Sequence, residues 1–150
     1  MQDKFHSNGA EQFESPCVSF NLRKCSHIVG RIYEREMHDA PVHGPLFGIL
    51  IAVRKRGSVS ITALAKDMGL DRTTLTRNLR PLEEQGFIRI APLSANRKEV
   101  TLLEKGEVAL ERSLASWRNA QTKVLRELGE DRWERMRKDL AAVMALDERI

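Results

Sequence analysis

Between Ser60 and Gly86 the chain reads SITALAKDMGLDRTTLTRNLRPLEEQG, and this stretch constrains the fold more than any other. Ser60 is a hydroxyl residue of the kind that caps a helix N-terminus, and Leu64, Ala65 and Met68 after it form a short apolar side. Gly69 stands where a helix closes with a left-handed residue. Leu70 is a turn hydrophobe, and Asp71 is a second N-cap. Leu75, Leu79 and Leu82 then recur at i, i+4 and i+7, one apolar stripe that ends before Gly86. At roughly 100° per residue, Thr73, Thr76, Arg77 and Arg80 fall on the opposite face. Two short amphipathic helices joined by a glycine turn are the helix-turn-helix pattern. Pro81 has no N–H to give a helix, so it is expected to kink the second helix or to re-aim its last turn. An outward face of guanidiniums and hydroxyls, without an acid among the four residues, suits a DNA major groove, where Arg reads guanine edges and Thr reaches phosphates or thymine methyls. The plainer alternative is a solvated helix pair in an all-α protein.

The residues after Gly86 strengthen the first reading. Phe87-Ile88-Arg89-Ile90 is a short run with β-branched content, Ala91 to Asn96 has turn chemistry, and Arg97 to Leu102 alternates in part. This predicts a hairpin with Arg97 and Lys98 at its tip and returning strand, to which Val59 adds a short third strand. A helix-turn-helix followed by such a hairpin is a winged helix, whose wing lies along the DNA backbone near the minor groove. The expected fold is mainly α with a small β-hairpin wing. The DNA-contact candidates are Ser60, Arg72, Thr73, Thr74, Thr76, Arg77, Arg80, Arg97 and Lys98, with Arg72 placed for a backbone or wing-side contact. Charge agrees: Arg54 to Lys98 holds ten cations and four acids, a larger excess than the +4 of the whole chain.

The flanks read as long helices. Ser15-Pro16 looks like an N-cap with Pro at the first helical position. Val18, Leu22, Cys25, Val29 and Ile32 continue a 3–4 spacing towards His38-Asp39. Gly44-Pro45 opens a second helix with Phe47, Leu50, Ile51 and Val53 inward. Leu110, Leu114, Trp117, Val124 and Leu128 form a further stripe, Gly129 punctuates it, and Trp133, Met136, Leu140, Val143 and Met144 form the last. Residues 15–150 thus read as one domain, with a winged helix at 45–102 between helices at 15–39 and 104–148. Those outer helices carry more apolar face than a winged core can cover. A second copy of the chain is the simplest partner, because two-fold dimers are the commonest assembly. The alternative is a monomer whose terminal helices fold back on the winged unit.

ITALAKDMGLDRTTLTRNLRPLEEQGFI and Leu102-Leu103-Glu104-Lys105-Gly106 resemble the core motifs of the MarR family of bacterial transcriptional regulators. The resemblance covers about residues 16 to 146. It implies homodimers built from the first, fifth and sixth helices, binding to an inverted repeat of double-stranded DNA, and repression as the usual sign of control. It also implies release by a small aromatic anion bound between the dimer helices and the winged unit. The candidates near that cleft are Arg31, His43, Phe47 and Trp117, each of which has an ordinary structural reading as well. One departure lies in the wing. Where relatives carry Asp-x-Arg, an ungapped count back from Leu102 puts Ser94 and Asn96, and Arg97 comes one place late. A wing shorter by one residue would restore Arg97 to that role.

Two cysteines, Cys17 and Cys25, lie on one expected helix about 12 Å apart in rise, too far to bridge. Cys17, in the first turn, is the candidate for thiol sensing; Cys25 reads as a small core residue. A third function class is a winged-helix adaptor that binds proteins and not DNA, which would lack the outward Thr73/Arg77/Arg80 face. The sequence offers no catalytic constellation, metal-ligand spacing or glycine-rich phosphate loop, so an enzyme, a cofactor and a metal site are not expected. Residues 1–14 are polar with scattered Phe and are expected to be a mobile tail. They lack an apolar run, so no membrane segment is expected and the cytoplasm is the expected compartment.

Overall fold

Glycines, caps and apolar stripes mark where each element stops. A computed structural model describes residues 17–95 and 97–148. In chain order the elements are α1 (Val18–Met37), α2 (Gly44–Arg56), β1 (Ser58–Ser60), α3 (Ile61–Met68), α4 (Arg72–Glu84), β2 (Ile88–Ser94), β3 (Arg97–Leu102), α5 (Glu104–Leu128) and α6 (Glu130–Met144), closed by a 3-10 turn at Ala145–Glu148. The protein is mostly helical with one three-stranded antiparallel sheet in the order β1-β3-β2, a winged-helix fold.

The helix-turn-helix forms as its punctuation predicts. Ser60 Oγ accepts from Ala63 N at 3.2 Å and caps α3. Gly69 takes φ +61, ψ 31, a conformation that L side chains resist, and the bond from Leu70 N to Ala65 O at 2.9 Å closes the turn. Asp71 Oδ1 accepts from Thr74 N at 2.8 Å and Oδ2 from Thr74 Oγ1 at 2.7 Å, capping α4. Leu64, Leu75, Leu79 and Leu82 are fully buried, and each contributes roughly 1.5–3 kcal/mol of apolar burial. The same core takes in Ile49, Leu50 and Val53 of α2, Ile88 and Val100 of the sheet, and Leu110 of α5.

Pro81 does not end α4, which runs on through Glu84. The missing N–H leaves the Arg77 carbonyl without its i+4 donor, and the helix stops one turn later, where Gln85 N donates to Pro81 O at 3.1 Å. Val59 supplies the third strand, pairing with Val100.

The wing differs from the sequence expectation. Ala91 to Ser94 are strand, not turn, because their pairing with β3 continues: Ala91 faces Glu99, Pro92 faces Lys98 and Ser94 faces Arg97. Leu93 is the extra residue between the last two pairs, a bulge that absorbs one position on the β2 side. Asn96 lies outside the described residues, as do Ser15, Pro16 and the tail assigned to residues 1–14. The described α1 starts at Val18 with Cys17 as its N-cap, so Cys17 sits just before the first turn.

One close approach explains the Leu-Leu-Glu-Lys-Gly segment. Leu103 N donates to Phe87 O at 2.9 Å, and a Cβ on Gly106 would stand 2.1 Å from that carbonyl oxygen. Only glycine lets α5 start against the end of the helix-turn-helix. Farther along, Arg54 at the end of α2 reaches Glu111 at 2.5 Å and Glu107 at 3.2 Å on α5. Buried Ser113 accepts from Val42 N at 3.1 Å and donates to Ala109 O at 2.8 Å, tying the α1–α2 loop to the same helix.

The outer helices are covered on one side only. Tyr33 donates to Gln121 and Lys123 meets Glu36 at 2.5 Å across the α1–α5 contact. Val18, Leu22, Ile28 and Val29 of α1 and Met136, Val143, Met144 and Leu146 near the C-terminus remain exposed. Cys25, expected in the core, is also exposed. No residue of α6 is buried, although Val143 and Met144 line a shallow depression with Met68 and Leu70. Among the described residues no helix is long and apolar enough to cross a membrane.

Candidate nucleic-acid interface

The outer face of α4 and the wing enclose one concave surface. Arg72, Thr73, Thr76, Arg77 and Arg80 line it from the helix, Ile61 from the start of α3, and Ile90 and Lys98 from the sheet. A smaller hollow of about 270 Å³ continues it towards the wing tip, lined by Arg72, Pro92, Ser94, Ala95, Arg97 and Lys98. Seven of the nine sequence candidates therefore share one surface. Arg72 lines both hollows.

The other two candidates are differently engaged. Ser60 Oγ caps α3, and Thr74 Oγ1 is held by Asp71. Thr76 Oγ1 donates to Arg72 O at 2.7 Å and still stands on the exposed face. The Thr74 backbone and hydroxyl bonds hold the Asp71 carboxyl below the usual carboxylate range.

Two of the four acids in the basic middle of the chain, absent from the contact candidates, also line the hollow, Glu83 and Glu84. Glu83 Oε1 accepts from Ile90 N at 3.3 Å and ties the helix end to the hairpin. Glu84 Oε1 accepts from Arg80 Nε at 2.8 Å, a hydrogen bond that raises the guanidinium pKa above its ordinary value. The i,i+4 spacing of Arg80 and Glu84 was legible as a helix-face pair. Two cations counted in the basic middle of the chain are engaged elsewhere: Arg54 with Glu107 and Glu111, and Arg56 with Asp67 at 2.8 Å. The basic face is therefore narrower than the residue count implied.

A second cavity, of about 790 Å³, opens between α1, α2 and α5. Arg31, Tyr33, Met37, Phe47 and Trp117 are among its lining residues. The Phe47 and Trp117 rings stack, 6.2 Å between centroids and 22° between planes. Burial raises the Tyr33 pKa. His43 does not line the cavity. Its Nδ1 lies 2.8 Å from Glu34 Oε1, and Glu34 is a lining residue. Three of the four ligand candidates thus converge, and Tyr33 and Met37 join them from α1, with Val29 of the exposed stripe at the same cavity. Cys17 Sγ accepts from Phe20 N at 3.4 Å at the start of α1.

Residues 45–100 match the model of the MarR family. No curated protein matches the chain. Among solved structures, the Mycobacterium tuberculosis transcriptional regulator MosR in complex with DNA is 28% identical at a TM-score of 0.78, over 88% of this chain and 96% of that one. A second crystal structure of MosR is 27% identical at a TM-score of 0.79, over 91% and 98%. Bordetella bronchiseptica BpsR, whose DNA binding is regulated by 6-hydroxynicotinic acid, is 18% identical at a TM-score of 0.76, over 86% and 94%, a likeness of fold.

Proposed function

We infer from the MarR-family domain at residues 45–100 that this DNA-binding transcription regulator works as a homodimeric repressor of an inverted-repeat operator. The observation that carries the reading is the continuous basic hollow between α4 and the wing, into which Arg72, Arg77, Arg80 and Lys98 all face. A winged-helix adaptor that does not touch DNA is expected to lack the outward Thr73, Arg77 and Arg80 that line it. Arg77 and Arg80 read base edges, with Thr73 and Thr76 beside them, and Arg72, Arg97 and Lys98 neutralise phosphates. The exposed stripes of α1 and α6 supply the contact between copies, which sets two α4 helices in successive major grooves about 34 Å apart.

The test is replacement of Arg77 by Ala. Binding to a duplex selected by the wild-type protein from a randomised pool should weaken by about 1–3 kcal/mol, with a much smaller loss on random duplex. Equal losses on both would make Arg77 a phosphate contact, and no loss on either would remove it from the interface.

The cavity between α1, α2 and α5 suits a small aromatic acid as releasing ligand. The stacked Phe47–Trp117 wall offers a face to a ring, and Arg31 offers its charge to a carboxylate. The regulation of BpsR by 6-hydroxynicotinic acid supports that chemical class. A second reading, release by oxidation, rests on the half-buried Cys17 Sγ at the N-cap of α1, where it accepts from Phe20 N. The same binding measurement separates the two: peroxide releases the wild type and not Cys17→Ser if the thiol governs, and an aromatic acid releases both if the cavity does.

A further inference from the structure

Of the four cations that line the basic hollow, Arg80 alone, among the described residues, is held in an ion pair. Its partner Glu84 sits one turn along α4, 61% exposed at the side chain, and faces the same hollow. The neighbouring Glu83 has a separate task at Ile90 N, so the two consecutive acids are not equivalent. Glu84 makes no other ion pair or hydrogen bond among the described residues, and it stands on a surface where an acid opposes DNA. A residue there weakens phosphate binding unless it acts through its neighbour.

Building on the reading that this hollow binds DNA, we propose that Glu84 is a specificity-determining residue: it withholds the Arg80 guanidinium from phosphates and releases it to a base edge. The magnitudes fit. An exposed i,i+4 ion pair biases a side chain by about two-fold. A bidentate Arg–guanine contact is worth roughly five- to 150-fold, so a guanine at the right place wins Arg80 from Glu84. A lone phosphate contact gains little beyond counterion release, which is screened by salt, so Glu84 competes with it on even terms. Random DNA therefore meets a surface on which Arg80 is free only part of the time, a fraction of one effective cation fewer than the selected site meets.

The probes are the duplex selected by the wild-type protein from a randomised pool and a random duplex of equal length, each titrated over a salt series. Glu84→Gln keeps the side-chain length and the helix. It should raise random-duplex affinity by about two- to three-fold, steepen the random-duplex salt slope by about half a unit, and lower the selected-to-random ratio by a factor similar to the affinity gain. In an Arg80→Ala background these effects should shrink to less than half. An unchanged salt slope for Glu84→Gln, or an equal gain on both duplexes, overturns the proposal. Equal effects with and without Arg80 also overturn it, because Glu84 would then act by its own charge. A randomised pool from which the wild-type protein enriches no duplex, together with no binding to random duplex, would instead overturn the DNA-binding reading on which this rests.

Discussion

At the scale of single residues, the positions that matter most are those where a side chain has one partner or no room. Gly106 has no room. An alanine there would drive its Cβ into the Phe87 carbonyl at 2.1 Å and against Leu102 Cδ1 at 2.8 Å. The neighbour is backbone, anchored by Leu103 N, so it cannot swing aside. Gly106→Ala should lower stability by about 1–3 kcal/mol or more by overpacking, read as a fall in the urea midpoint at unchanged slope. A wild-type midpoint would mean that α5 shifts without cost. This glycine was visible in the sequence as part of a motif, but its reason was not, since nothing in the local pattern says that residues 87 and 106 meet. The same holds for Arg54 and Arg56. Their charges were legible, but their acidic partners lie on other helices, so composition alone assigned them to the wrong face.

At the scale of elements, α4 was the most legible part of the chain. Its Leu stripe, its Asp71 cap and its outward arginines depend on near neighbours, and local periodicity fixes them. The wing was legible only in outline. Its turn chemistry sits in Pro92 to Ala95, yet the register is imposed by β3, which is held on both sides by β1 and β2. The cap of α4 also carries a pH signature. Asp71 has its pKa lowered in the folded chain by the bonds from Thr74. A depressed carboxyl contributes stability that is present above its unfolded pKa, about 3.9, and is lost as pH falls through the lower folded value. Asp71→Asn keeps an acceptor for Thr74 N and should flatten the acid limb of the stability profile, while Asp71→Ala should lower stability at neutral pH as well. Thermal unfolding from pH 2 to 7 checks both. Superimposable acid limbs for wild type and Asp71→Asn would show that other carboxyls, such as Glu36 with Lys123, dominate that range.

At the scale of the whole molecule, the uncovered faces of α1 and α6 set the expected assembly. Removal of residues 130–150 should leave a chain that aggregates or fails to bind DNA although its winged unit is intact, and light scattering should find the full chain as a dimer at micromolar concentration. A monodisperse monomer of the full chain would refute the assembly. The sequence showed these stripes clearly but could not say what covers them, because periodicity marks a buried face and not its partner.

Phe87 against Gly106, and Arg54 against Glu107 and Glu111, fasten the reading head to both ends of the first two turns of α5. That helix is 25 residues long, about 37 Å at the usual rise. With the head bolted to its shaft, the jaws of a two-fold pair can open or close only if the shafts themselves swing. In the proposed dimer the molecule would be a caliper. It would test the gap between two half-sites as strictly as their letters, and an aromatic acid lodged beside Phe47 would act by resetting the gauge while leaving every DNA-facing side chain as it was.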